Sequence, residues 1–378
     1  MSKLNFTQTI TIDQAATVIP ILSQTVEGED SHITPIIVSE PGVGKTSILR
    51  LIAEKNGDKW RKPNDVYASD KYEYIYVDCP SKDYMDIAAT IPNPETKALE
   101  QYVGSLFNVG SGKPKVIMLD EAFKIPKLMG VLFTRLMLER MVGDVSLPMG
   151  SIVFGTSNNG SDGVGDHVQS HQGNRICLVR MEKPDARRWN IWAGENGVSV
   201  TLRSFVAMNP RCLASYMDGG QENNEFIFNP TKAGQAVSFV SPRSLYKANR
   251  IVVNREVMGT QVAEVLLAGT IGLAAAKALS VFMEMESQVI KTKDVVANPE
   301  GVPMPSDMAA LCMMMFNAVD DLQTQDELSQ YMKFIKRMNH SELQSVFFTM
   351  LMGNKRTTKL AANNDDVKAW TKDNYKYL

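Results

Sequence analysis

The segment 39–46 limits the possible folds most, because it reads SEPGVGKT and follows the apolar run 33–38. A buried strand that leads through a glycine-rich turn into a helix gathers backbone N–H groups and a helix N-terminus, which favour an anion. Lys45 can then reach the β- and γ-phosphates of a nucleotide, and the Thr46 hydroxyl can ligate Mg²⁺. The segment therefore predicts a phosphate-binding loop. The residues predicted to contact the nucleotide are Pro41, Gly42, Val43, Gly44, Lys45, Thr46 and Ser47.

One position departs from the usual pattern of such loops, GxxxxGKS/T, which has glycine where this chain has Ser39. The glycines nearest the phosphates, Gly42 and Gly44, are both present. A serine is small enough to fit at the exit of the strand, so the prediction of a phosphate-binding loop is unchanged.

A second motif lies further along the chain, where the apolar run 116–119 ends in Asp120 and Glu121. At the carboxyl end of a strand, Asp120 is placed to hold Mg²⁺, and Glu121 can orient and deprotonate a water that attacks the γ-phosphate. Between the two motifs, the run 74–78 has the composition of another strand. This second motif predicts hydrolysis of the bound nucleotide, with Thr46 and Asp120 as metal ligands.

A third strand-like run, 151–156, is followed by Ser157 and Asn158. An uncharged amide at the tip of a strand can hydrogen-bond both the γ-phosphate and the attacking water without repelling either. Asparagine is also common in strand-to-loop turns for conformational reasons alone. Because it follows Asp120 and Glu121 in the order expected for such a site, Asn158 is interpreted as a catalytic residue.

With these motifs the chain resembles the AAA+ ATPases, and within them the MoxR-like branch, especially its phage-encoded members. The resemblance extends from about residue 14 to about residue 255. It rests on the segments 41–46, 119–121, 147–148, 154–158, 173–175 and 241–244, and on the tryptophan-containing stretch 185–193. The chain departs from these relatives at Ser39, and at Ile176, where they usually carry phenylalanine.

The resemblance implies roles for three residues at matching positions. Asn158 corresponds to sensor 1, Arg243 to sensor 2, and Arg175 to the arginine finger that neutralises charge on the transferring phosphoryl group of a neighbouring subunit. An active site completed by a neighbour requires an oligomer. The resemblance implies a homo-oligomeric ring, usually of six subunits, a hexamer. Three other arginines remain alternative fingers: Arg180, Arg187 and Arg188.

The predicted fold class is α/β: an AAA+ P-loop core with a five-stranded parallel sheet, followed by an α-helical lid domain and a helical C-terminal extension. Residues 1–182 form the nucleotide-binding domain, which opens with a helix near 12–26 and ends with the strand 176–180. Residues 183–378 form the lid domain and the extension.

Several features of the helical part are predicted in more detail. Ser241 as an N-cap and Pro242 in the first turn favour a helix that carries Arg243 near its start. The apolar segment 262–282 predicts one packed lid helix, because charged residues interrupt it. The many methionines near the C-terminus favour core packing over an adaptable binding surface. The polar tail 354–378 predicts a solvated, partly ordered end.

Two segments of the first domain look like insertions. Residues 81–113 intervene between the second strand and Asp120, and residues 139–150 have the pattern of a hairpin before Asn158. By resemblance, MoxR-like ATPases use these segments at the pore or rim of the ring to grip a protein partner. Ordinary surface loops are the alternative interpretation.

Charge and composition limit the function classes. The formal net charge of −2 gives no general attraction to nucleic acid, although a local basic pore loop is compatible with it. The N-terminus lacks an apolar signal segment and no run has the length of a membrane helix, so a cytoplasmic protein is predicted, in the host cytoplasm if the chain is phage-encoded. The four cysteines and four histidines show no metal-ligand spacing.

Together these inferences predict Mg²⁺-dependent ATP hydrolysis by a ring-shaped homo-oligomer that remodels or assembles a protein partner in a chaperone-like way. The resemblance implies a von Willebrand factor A domain protein as that partner. Two other functions stay open: a DNA-directed motor, such as a helicase loader or a translocase subunit, and a nucleotide-gated scaffold with little hydrolysis. DNA-stimulated hydrolysis would favour the motor, and low turnover that Glu121→Gln leaves unchanged would favour the scaffold.

Overall fold

Strands and helices alternate in the first half of the chain, and helices dominate the second half, in the computed structural model. The structure describes residues 8–28, 31–58, 67–126, 129–158, 176–230 and 237–374. The chain divides into two compact units, Met1–Lys183 and Pro184–Leu378. The α-helices of the first unit are α1 (Ile12–Ser23), α2 (Ser47–Lys55), α3 (Tyr84–Ile87) and α4 (Gly130–Glu139). Its strands are β1 (Thr34–Ser39), β2 (Tyr67–Ala68), β3 (Glu73–Asp78), β4 (Ala88–Asn93), β5 (Ala98–Val103), β6 (Lys115–Asp120), β7 (Met141–Val142), β8 (Val145–Ser146), β9 (Ile152–Asn158) and β10 (Ile176–Arg180).

A six-stranded sheet forms the centre of the first unit, in the order β10-β1-β9-β6-β3-β2. The first five of these strands are parallel, and the two-residue strand β2 pairs antiparallel with β3. Residues of β1, β6 and β9 are almost all buried, as expected for strands covered by helices on both faces. The predicted α/β fold with five parallel strands is therefore confirmed, and β2 is an additional edge strand.

The sheet separates two apolar clusters, and alternate residues of each strand enter opposite clusters. Ile37 and Phe154 join the cluster that contains the buried side chains of α1 and α2. Ile36 and Val153, one position earlier in each strand, join the cluster that contains Phe133 of α4. Each fully buried side chain of this kind contributes roughly 1.5–3 kcal/mol to folding. Because alternate side chains must enter opposite clusters, a shift of one residue in strand pairing would expose apolar side chains. This alternation therefore fixes the strand register, which in turn positions the strand ends.

Both predicted insertions contain hairpins. Strands β4 and β5 pair antiparallel within 81–113, and the short strands β7 and β8 pair antiparallel within 139–150, which confirms the hairpin predicted there. A Cβ placed on Gly143 of the second hairpin would lie 2.8 Å from Oε1 of Gln101 in the first. The two hairpins therefore lie against each other.

The described part of the second unit consists of helices, turns and one isolated bridge between Ile227 and Val240. Within the described ranges, none of the helices is long and apolar enough to span a bilayer. The α-helices are α5 (Ala186–Glu195), α6 (Val200–Met208), α7 (Pro242–Val253), α8 (Arg255–Met258), α9 (Thr260–Ile271), α10 (Leu273–Met285), α11 (Thr292–Ala297), α12 (Met308–Asp321), α13 (Gln325–Lys336), α14 (Ser341–Gly353), α15 (Lys355–Ala362) and α16 (Asp365–Asn374).

Two predictions about helix boundaries in this unit have different outcomes. Helix α7 begins at Pro242, and the Ser241 side chain caps it by accepting a hydrogen bond from the backbone N–H of Ser244, as predicted. The prediction of one helix over 262–282 is wrong, because α9 ends at Ile271 and α10 begins at Leu273. Gly272 between them has φ 87°, which interrupts the helical hydrogen bonds.

The C-terminal methionines and the tail belong to one apolar core. Met314, Met315 and Met332 are buried in it, which confirms the prediction of core packing. The prediction of a solvated tail is wrong for the helices α15 and α16. The ring of Trp370 in α16 stacks on Phe348 with centroids 3.7 Å apart. The polar residues around Trp370 in the sequence gave no indication of this apolar contact.

Candidate functional site

The phosphate-binding segment connects β1, a central strand of the sheet, with α2. Gly42 and Gly44 have φ angles of 75° and 110°, a region that glycine adopts at little cost because it has no Cβ. Val43 between them is buried in the cluster that contains the side chains of α1 and α2. The loop is thus anchored at one side chain and has the backbone geometry that a phosphate cradle needs.

Lys45 is buried, and its ammonium donates hydrogen bonds to four uncharged oxygens. These are the backbone oxygen of Ser39 at 3.2 Å, its hydroxyl at 3.3 Å, the backbone oxygen of Glu40 at 3.1 Å and Oδ1 of Asn158 at 2.7 Å. Because these acceptors are neutral, none of them cancels the positive charge that attracts a phosphate. Ser39 therefore contributes a hydroxyl to the site where the usual pattern has glycine.

The ends of four parallel strands meet at one edge of the sheet. Ser39 at the end of β1 lies beside Asn158 at the end of β9, and Asp78 at the end of β3 lies beside Asp120 at the end of β6. Ligands of open α/β sheets bind outside the carboxyl ends of such strands. The phosphate-binding segment, the acidic motif and Asn158 are therefore brought to the same edge, although they are far apart in sequence.

Glu121 is held at both oxygens of its carboxylate. Oε1 accepts a hydrogen bond from Nδ2 of Asn158 at 2.7 Å, and Oε2 forms an ion pair with Nζ of Lys124 at 2.9 Å. The backbone of Glu121 has φ 54° and ψ 43°, a left-handed conformation that is uncommon for a residue with a Cβ. Such strain persists where the surrounding structure imposes it, and it is concentrated at functional sites.

Asn158 joins two groups of opposite charge. Its Oδ1 accepts from the ammonium of Lys45, and its Nδ2 donates to the carboxylate of Glu121. An amide can serve both partners because it carries an acceptor and a donor on one rigid group. The three side chains form a continuous hydrogen-bonded chain from the phosphate-binding segment to the acidic motif.

Two hydroxyl groups that sequence reasoning missed fix the carboxylate of Asp120. Thr156 donates to Oδ1, and Tyr76 donates to Oδ2 at 2.8 Å. The alternation of strand residues could have identified both, since Thr156 shares a sheet face with Asn158, and Tyr76 shares one with Asp78. The backbone N–H of Glu121 also donates to Oδ1 at 3.2 Å. A carboxylate has about four acceptor positions, so these three donors leave one position, on Oδ2, for a metal ion.

Cys79 lies beside the acidic motif but is chemically inert there. Burial raises the pKa of its thiol well above the usual value, and the neighbouring carboxylates of Asp120, Asp78 and Glu121 raise this pKa further. The thiolate is the reactive form of cysteine. Cys79 therefore packs as a neutral side chain at this edge of the sheet.

The other predicted residues are distributed over both units. Thr46 and Ser47 are exposed at the start of α2, and the Thr46 side chain makes no capping hydrogen bond there. Arg243 is exposed in the first turn of α7, in the second unit. Arg175 lies outside the described residues. All three alternative arginine fingers lie in the described part of the chain. Arg180 is at the end of β10, and the exposed Arg187 and Arg188 are in the first turn of α5.

The residues at this edge fit a nucleotide and Mg²⁺. The turn of Gly42 and Gly44 and the ammonium of Lys45 suit a polyphosphate. Protein sites for Mg²⁺ use one or two carboxylates together with substrate phosphates. Asp120 offers a carboxylate and Thr46 a hydroxyl oxygen, and Glu121 is held nearby as a candidate base.

Comparisons with known proteins return no matching family model and no matching curated protein. The solved structures to which this chain is similar include three mutants of RuvB from Thermotoga maritima. The first has a TM-score of 0.34 at 11% identity, with 79% of each chain covered. The others have TM-scores of 0.36 and 0.35 at 10% and 12% identity, covering 84% and 85% of this chain and 85% of each RuvB chain.

Proposed function

We propose that this protein is a Mg²⁺-dependent ATPase of the AAA+ type and the MoxR-like branch. In this proposal it works as a homo-oligomeric ring, a hexamer, that remodels or assembles a protein partner. The observation that supports it best is the hydrogen-bonded chain from Lys45 through Asn158 to Glu121, beside the fixed carboxylate of Asp120. This arrangement joins a phosphate-binding cation to a candidate base.

Each side chain at this edge has a distinct chemical task in hydrolysis. Lys45 supplies positive charge at the phosphate-binding turn, and Glu121 orients a water and accepts its proton. Asn158 keeps the Glu121 carboxylate oriented, because its Nδ2 holds Oε1 at 2.7 Å. When bound with ATP, Mg²⁺ neutralises charge that develops on the phosphate oxygens. Asp120 and Thr46 are the residues that would hold it.

Exposed apolar side chains on the hairpin of β4 and β5 support the proposal that this protein contacts a protein partner. Leu99 is 72% exposed, Tyr102 is 51% exposed and Ile91 is 46% exposed, and all three belong to β4 or β5. Ile91 and Tyr102 share one face of the hairpin and Leu99 lies on the other, so the first two can contact one partner surface together. In this proposal the two hairpins grip the partner, and a von Willebrand factor A domain protein is the class of partner that we would test first.

The first experiment measures the ATPase rate and the particle mass of the wild type together with two variants. Lys45→Ala should abolish nucleotide binding, because it removes the cation of the loop. Glu121→Gln should bind ATP, retain the oligomer and lose about 10²–10⁴ in turnover, since the amide cannot accept the proton of the water. Exposed Glu27, which lies outside the proposed site, provides the matched control Glu27→Gln, with unchanged turnover.

Other outcomes of that experiment point to other functions. Wild-type turnover in either site variant would overturn the proposed site. Strong stimulation of hydrolysis by single-stranded or duplex DNA would favour a DNA-directed motor such as a helicase loader or a translocase subunit. Equal, low turnover in the wild type and Glu121→Gln, with ATP still bound, would favour a nucleotide-gated scaffold.

A further inference from the structure

A buried acidic side chain lies within the segment that is built to attract phosphates. Glu40 follows the last residue of β1, and its side chain is only 6% exposed. The side chain of Lys183 is 5% exposed, and its Nζ lies 4.0 Å from Oε2 of Glu40. Both charges are thus removed from water and face each other beside the phosphate-binding turn.

The backbone of the sheet holds Lys183 in this place. Strand β10 pairs with β1 up to Arg180 opposite Val38, and the N–H of Met181 then donates to the carbonyl of Val38 at 2.9 Å. The next residue, Glu182, donates its N–H to the carbonyl of Ile10 at 3.0 Å. These hydrogen bonds fix the backbone just before Lys183, so its side chain is directed to the phosphate-binding segment from a defined position.

Glu40 also contacts the residue that is proposed to bind phosphate. Its backbone oxygen accepts a hydrogen bond from the ammonium of Lys45 at 3.1 Å. A carboxylate without a balancing cation at this position would repel an incoming polyphosphate and compete with it for Lys45. It would also be more costly to bury, because removing one partner of a buried ion pair takes away that partner's compensation of the remaining charge.

We propose that Lys183 is a positioning residue that neutralises Glu40 and thereby sets the affinity of the phosphate-binding segment for polyphosphates. The inference rests on the proposed nucleotide binding and assigns a new role within that site. With Glu40 balanced by Lys183, its carboxylate competes less with the ligand for the ammonium of Lys45. The ion pair therefore adjusts the electrostatic potential at the loop without contacting the ligand itself.

The test measures the dissociation constants of ATP and ADP by calorimetry on the full chain. It compares the wild type with Lys183→Met, Lys183→Arg and the double variant Glu40→Gln/Lys183→Met. Lys183→Met should weaken ATP binding about tenfold and ADP binding less, since ATP carries one more negative charge. The arginine variant and the double variant should bind nearly as the wild type does, because the first keeps the cation and the second removes the carboxylate. Lys71→Met, at an exposed lysine of the same unit, is the matched control and should change neither constant.

Three results would overturn the inference while the proposed function stands. They are wild-type affinity in Lys183→Met, equal weakening for ATP and ADP, and a double variant that binds as weakly as Lys183→Met. Thermal unfolding of the nucleotide-free variants separates these cases from misfolding, since a merely structural role would lower stability without an ATP-to-ADP difference. A wild-type protein that binds neither nucleotide would instead reject the proposed function itself.

Discussion

Asn158 is the residue on which the candidate site depends most. Its oxygen faces an ammonium and its nitrogen faces a carboxylate, so the amide is oriented by the charges of both neighbours. Both hydrogen bonds belong to one planar group, so a rotation of the amide that breaks one also disturbs the other. Glutamine alone has the same group, on a side chain one methylene longer.

We expect Asn158→Ala to reduce turnover about 10²–10³-fold, because Glu121 loses the donor that orients its carboxylate. ATP affinity should change far less, since Lys45 keeps its acceptors in Ser39 and Glu40. Steady-state hydrolysis and equilibrium ATP binding measure the two effects separately. Asn158→Asp is the matched variant, and it should be at least as impaired, because a second carboxylate repels Glu121. Full turnover in the alanine variant would contradict the assigned role.

At the scale of elements, one glycine determines where the long apolar segment of the second unit breaks. Gly272 has φ 87°, and a Cβ placed on it would lie 2.8 Å from the backbone oxygen of Ser238. It separates α9 from α10, which pack side by side. Gly269, three residues earlier, lies within α9, and a Cβ placed there meets no described atom within 4 Å.

These two glycines make a matched pair for measuring stability. Gly272→Ala should lower the free energy of unfolding by about 1–3 kcal/mol, because alanine is strained at this φ and its Cβ meets a backbone oxygen. Gly269→Ala should raise the same free energy by about 0.5–1 kcal/mol, because alanine favours the helix. Urea unfolding of the full-length protein measures both. Similar effects of the two substitutions would contradict this account of the helix break.

Elements differed in how well the sequence predicted them. The five parallel strands were recognisable because buried strands leave continuous apolar runs. Strand β2 was not, because two residues carry no periodicity, and its pairing with β3 determines it. The tail helices α15 and α16 have mostly polar sequences, and contacts such as the one between Trp370 and Phe348 stabilise them.

At the scale of the whole molecule, the proposed ring predicts that active sites are completed by neighbouring subunits. We expect Arg175→Ala to bind ATP normally and to lose hydrolysis, because charge on the transferring phosphoryl group is no longer neutralised. Mixing it with Lys45→Ala subunits, whose own Arg175 is intact, should restore part of the activity. Rates of the mixture are compared with the sum of the separate rates.

The control for this experiment is a mixture with the double variant Lys45→Ala/Arg175→Ala, which should restore nothing. If the first mixture also shows no gain, the finger is one of Arg180, Arg187 and Arg188, or Arg175 acts within its own subunit. Native mass measurement on the same mixtures checks that the subunits exchange.

The phosphate-binding segment, the acidic motif and the α/β class of the fold could be predicted from the amino-acid order alone, because each depends on consecutive residues or on a short period. The side chains that support these motifs could be identified only from the folded structure. Tyr76 reaches Asp120 across 44 positions of the chain, and Thr156 reaches it across 36. Such pairs depend on strand order and register, which the packing of both sheet faces sets. The ion pair of Glu40 and Lys183 exists for the same reason: β10 returns to lie beside β1.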